Sequence, residues 1–139
     1  MPPRNLDVPL RNEIDAMFRE ARARIDAGKK DEAVPLARQA WDKLPEPKYD
    51  WDVTQSYTIA LAAILRDAGL YQEALRVMED DFASGVVLPY QDQPRIMMGS
   101  IYAELGDRTK AKKWIGEANL ISKGRCFFGM WLKYRSYVD

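Results

Sequence analysis

The chain has 139 residues, 47% of them hydrophobic, and 21 basic groups against 21 acidic ones. That is enough apolar material for a real core, which excludes a disordered chain, and the charge balance excludes bulk attraction to nucleic acid or membrane. Histidine is absent, which removes the commonest general base and the commonest metal ligand.

Charge is unevenly placed along the chain. Residues 51–107 carry 3 basic and 9 acidic groups, net −6, and residues 108–139 carry 8 basic and 2 acidic groups, net +6. The single cysteine, Cys126, excludes a disulfide framework and a multi-cysteine zinc site, and a lone thiol fits a reducing compartment. Nothing at the N-terminus resembles a signal peptide and no long apolar run is present, so the expectation is a cytoplasmic protein.

In chain order, residues 1–6 read as a frayed lead-in and Asp7 as the cap of a first helix. Ile14, Met17, Phe18, Ala21 and Ile25 form its apolar stripe. Gly28 ends it. A second helix runs from Asp31 to about Leu44, with Ala33, Leu36, Ala37, Ala40, Trp41 and Leu44 inward and Pro35 in the first turn. Pro45 and Pro47 stiffen a connector that leads to Tyr49 and Trp51.

A third helix spans roughly 52–68, with Tyr57, Leu61, Ala62, Ile64 and Leu65 inward, and Gly69 breaks it. The fourth carries Tyr71, Ala74, Leu75, Met78 and Phe82. Its end, Glu79-Asp80-Asp81, reads as a solvated acidic corner or as part of a contact surface for a basic partner. A fifth helix starts between Tyr90 and Pro94 and ends at Leu105, and a sixth runs from Thr109 to about Ile121 with Ala111, Trp114, Ile115 and Ala118 inward. Phe127, Met130, Trp131, Tyr134, Tyr137 and Val138 recur at three- and four-residue steps, which predicts a short seventh amphipathic helix. No strand signal is present.

Met98-Gly99-x-x-Tyr102, followed by Gly106 and then Ala111-x-x-x-Ile115, resembles the tetratricopeptide (TPR) repeat pattern. The same glycine-to-alanine step recurs at Gly28/Ala33 and Gly69/Ala74. The resemblance implies an all-α fold, a right-handed superhelical stack of about three TPR-like helix pairs with a short C-terminal capping helix. A single domain over 1–139 is expected, with units at about 8–45, 52–84 and 90–122 and a tail at 123–139.

The residues support no catalytic, cofactor-binding or metal site. There is no phosphate-cradling glycine motif, no nucleophile elbow, and no spaced carboxylate loop for calcium. Cys126, with no base to activate it, reads as an inert thiol. Lys110, Lys112, Lys113, Lys123 and Arg125 read as a solvated basic face, with an anionic or RNA patch as the alternative.

The TPR resemblance implies a concave surface lined by the first helix of each pair. The partner-binding candidates are therefore Phe18, Arg22, Ile59, Arg66, Ile96 and Ser100, with Tyr49 and Trp51 at the rim. These side chains are expected to be at least partly accessible, and an apolar floor with charged edges suits a protein partner better than nucleic acid.

Leu44-Pro-Glu-Pro-Lys48 with Trp51-Asp52, Leu105-Gly-Asp, and Gly124-Arg125 with Lys133-Tyr134 further resemble small bacterial TPR-like proteins found near toxin genes. That resemblance implies a non-catalytic immunity protein or antagonist that binds a toxin domain. A general adaptor for peptides or helices is the alternative. A homo-oligomer built through the C-terminal aromatic helix is a further reading of the tail.

Overall fold

The computed structural model describes residues 2–139. The fold is all-helical: six α-helices, α1 (Val8–Asp26), α2 (Lys30–Lys43), α3 (Thr54–Asp67), α4 (Tyr71–Ala83), α5 (Gln93–Leu105) and α6 (Arg108–Ser122). Two 3₁₀ segments, Lys48–Asp50 and Gly129–Tyr137, complete it. The chain divides within α4 into two compact units, one up to Val77 and one of Met78–Asp139.

In the first unit α1 packs on α2, and both pack on α3. The α1 stripe points Ile14, Phe18 and Ala21 inward, and α2 contributes Ala33, Val34, Ala37 and Ala40. Small residues along α2 allow the close approach that the short turn at Gly28 requires. Gly28 and Gly69 both adopt left-handed φ, 79° and 83°, the conformation glycine reaches without a Cβ penalty. Ala33 and Ala74, five residues after them, are fully buried.

α2 starts one residue earlier than expected, which moves Pro35 out of the first turn and into the helix. Asp7 occupies the N-cap position of α1 without a side-chain capping hydrogen bond.

Residues 2–6 are not frayed. Arg4 forms an isolated parallel bridge with Trp51. Its N–H donates to the Asp50 carbonyl and its carbonyl accepts from the Asp52 N–H, each at 2.8 Å. Leu6 is buried beside this pairing, so an apolar anchor adds to the backbone bonds.

α3 buries ten consecutive or near-consecutive positions from Thr54 to Arg66. Its central segment, Tyr57-Thr-Ile-Ala-Leu-Ala-Ala-Ile-Leu65, is apolar on almost every face, and such a helix is enclosed all round. The Tyr57 hydroxyl donates to Asp15 at 2.7 Å, tying α3 to α1. Burial and then this hydrogen bond push the phenol well above its ordinary value.

In the second unit α5 packs on α6, and the 3₁₀ helix Gly129–Tyr137 rests on both. Gly99 sets the α5–α6 distance: a Cβ built there would lie 2.5 Å from Ile115 Cγ1 and 3.0 Å from the Ile115 backbone nitrogen. The Asp107 side chain caps α6 by accepting from the Lys110 N–H at 3.1 Å.

Glu79 and Asp80 are exposed, but Asp81 is fully buried, so the solvated acidic corner at the end of α4 comprises two of the three carboxylates. Ala74, Met78 and Asp81 share one stripe at i, i+4 and i+7, and the carboxylate goes where that stripe takes it.

Candidate functional site

Of the eight candidate partner-binding residues, five are interior. Phe18, Ile59, Arg66, Ile96 and Ser100 are all buried, against the expectation that they would be accessible. Phe18 lies on the inward stripe of α1, and for the other four the reason lies in α3 and α5. Both are apolar around most of their circumference, so positions assigned to an open face are covered like the rest.

Phe18 stacks against Tyr57 with ring centroids 5.4 Å apart. The Ser100 hydroxyl donates to the Met97 carbonyl at 2.7 Å. Neither side chain presents a surface.

Arg22 and Arg66 belong to an ionic network around Asp67. Arg22 donates to the Asp67 carboxylate at 2.7 Å and Arg66 to its other oxygen at 2.9 Å, with Arg22 also 3.6 Å from Asp26. Burial alone would push the Asp67 carboxyl up. The hydrogen bonds and charges of Arg66 and Arg22 outweigh that and hold it below the usual carboxylate range.

Tyr49 and Trp51 are partly covered by the connector they sit on. The Trp51 indole N–H donates to the Pro45 carbonyl at 2.8 Å, and the Arg4 guanidinium lies 4.5 Å from the centroid of its ring. Tyr49 meets Trp41 edge-on at 6.2 Å. Lys48 caps the end of α2, donating to the Leu44 and Trp41 carbonyls at 2.6 and 3.0 Å. These contacts give both aromatics work in holding the 45–52 connector.

The exposed apolar side chains lie elsewhere. Among the described residues nine large ones are exposed, and seven of these fall in the second unit: Leu88, Tyr90, Leu105, Leu120, Phe128, Met130 and Leu132. Three of them lie in the tail, where Met130 alone belongs to the three- and four-residue pattern and Phe128 and Leu132 fall outside it. As an α-helix, Gly129–Val138 would put Met130 and Trp131 on one inward face. As a 3₁₀ helix, with three residues per turn, it turns only Trp131 and Tyr134 inward and leaves Phe128, Met130 and Leu132 at the surface.

Trp131 and Tyr134 are thus anchors of the tail on its own unit rather than an open aromatic face for a second copy. The Tyr134 hydroxyl donates to Glu104 at 2.8 Å, and Lys133 pairs with the same carboxylate at 2.8 Å. All eight basic residues of 108–139 are exposed. Several of them cover aromatic rings: Arg108 on Tyr137, Lys110 on Tyr102 and Lys113 on Trp114, at 5.1, 5.3 and 5.5 Å from the centroids.

Cys126 is buried, and that burial pushes its thiol up, away from the thiolate that would react. No cluster of three or more potential metal-ligating side chains occurs among the described residues, and no helix there is long and apolar enough to cross a membrane. Compared with known proteins, the chain matches no family, no curated protein and no solved structure.

Proposed function

We propose that this protein is a non-catalytic protein-interaction module that holds its partner through the surface of the Met78–Asp139 unit. One observation carries this reading: seven of the nine exposed large apolar side chains lie between Leu88 and Leu132, three of them within the five residues Phe128–Leu132. Leaving such side chains in water forfeits burial free energy, and a concentration of them marks a surface that is covered in use. The first unit, by contrast, exposes two such side chains among its described residues, Val8 and Leu70.

The resemblance in sequence to small bacterial TPR-like proteins makes a toxin domain the first partner to test, with a general adaptor role as the alternative. The test is lysine cross-linking of the tagged full chain in native extract, followed by mass spectrometry. A partner protein should be recovered in stoichiometric amount, with cross-links on Lys110, Lys112, Lys113, Lys123 or Lys133. Cross-links confined to Lys29, Lys30 and Lys43 would move the contact to the first unit. Recovery of no protein partner would contradict the module reading itself.

A further inference from the structure

We infer that Lys123–Arg135 is a preformed docking strap for an acidic protein segment that carries apolar side chains. The inference rests on the interaction-module reading and names the contact surface and the chemistry of its partner. The strap begins where α6 is stopped by two left-handed residues, Lys123 with φ 54° and Gly124 with φ 83°. One side of it is pinned: Cys126, Trp131 and Tyr134 are buried, the Cys126 N–H donates to the Ser122 hydroxyl at 3.0 Å, and the Trp131 N–H donates to the Phe128 carbonyl at 2.9 Å. A segment held this way loses little conformational entropy when something binds it.

The other side is open. Phe128 and Leu132 are 54% and 58% exposed, with Met130 exposed between them. Lys123, Arg125, Lys133 and Arg135, which flank or alternate with these apolar residues along the chain, are exposed, and no acidic residue occurs between Glu117 and Asp139. Lys133 is paired with Glu104; Lys123, Arg125 and Arg135 make no ion pair among the described residues. Exposed apolar side chains flanked along the chain by unpaired cations call for an anionic occupant with apolar anchors.

Geometry separates the anionic candidates. Successive residues of a 3₁₀ helix are about 120° apart, so Met130 and Leu132 diverge by about a third of a turn. A flat bilayer reaches both only at the edges of one face, whereas a protein segment can wrap the ridge. Base stacking favours a series of exposed rings, and here Trp131 and Tyr134 are buried and Phe128 alone is exposed.

The test pans the full chain against a random displayed peptide library and titrates the selected peptides by fluorescence anisotropy. The selected sequences should be net acidic with apolar residues among the carboxylates. Their affinity should fall about tenfold in Phe128→Ser/Leu132→Ser and about tenfold in Lys123→Glu/Arg125→Glu. Melting curves check that both variants fold, and the charge pair tests the strap independently if the apolar pair does not. Neutral or basic selected peptides, no selection, or affinities unchanged in the folded variants would overturn the inference. Vesicles of phosphatidylglycerol are titrated in parallel, and binding to them that is lost in the same variants while peptide binding persists would reassign the strap to a bilayer. If the variants still cross-link the native partner as the parent does, the module reading stands and the strap fails.

Discussion

Asp67 sits between two guanidinium groups, and its carboxylate has about a third of its surface in water. Its folded pKa lies below the ordinary value. It therefore contributes stability above about pH 4, where the unfolded carboxyl ionises, and that contribution is lost as pH falls through the folded value. Asp67→Asn should cost about 1–3 kcal/mol at neutral pH. The cost should shrink in acid, as read from urea midpoints at about pH 7 and about pH 3. An equal cost at both would mean that the carboxylate charge is not what matters. Sequence did not reveal this network, because Arg22 and Asp67 are 45 positions apart and no local pattern links them. Arg66 reads as a groove cation by its position, and the structure encloses it because its neighbours on α3 are apolar on every side.

At the scale of elements, two glycines of the second unit make opposite predictions. Gly99 faces Ile115 with no room for a methyl group, so Gly99→Ala should overpack the α5–α6 contact and cost about 1–3 kcal/mol. Gly116 lies inside α6 with nothing within 4 Å of its Cβ position. Gly116→Ala should therefore raise stability by about 0.4–1 kcal/mol through the entropy of the unfolded chain. Thermal melts of the two variants moving in the same direction would refute the packing described for these helices.

Element existence was legible almost throughout, because Gly28, Gly69 and Gly106 punctuate strong 3.6-residue stripes. The inward face of α3 was legible too, but the burial of Ile59, Ala63 and Arg66 on its other side was not, since a helix apolar all round has no period from which to read an exposed side. The tail misled for a different reason. Steps of three residues fit an α-helix and a 3₁₀ helix alike, steps of four fit the α-helix alone, and Trp131 and Tyr134, three apart, are the pair that the 3₁₀ segment buries.

Over the whole molecule, the N-terminal segment and the tail are the parts that local patterns described least well. Residues 2–6 carry no periodicity, yet Arg4 pairs with Asp50 and Asp52, and Leu6 is buried. Leu6→Ala should cost about 2–4 kcal/mol in chemical denaturation, where a frayed segment would register almost nothing. Trp51→Ala should also lower stability, because it removes the ring beneath Arg4 and the bond to the Pro45 carbonyl.

Partner contact is proposed to lie on the exposed apolar side chains of the second unit and not on Arg22 and the other positions that the repeat resemblance places in a groove. The direct measurement is the dissociation constant for the native partner, compared among the parent, Arg22→Ala and Phe128→Ser/Leu132→Ser. The account predicts that Arg22→Ala binds as the parent does and that the double variant binds about tenfold or more weakly with its melting curve unchanged. Weakened binding in Arg22→Ala together with parental binding in Phe128→Ser/Leu132→Ser would contradict it.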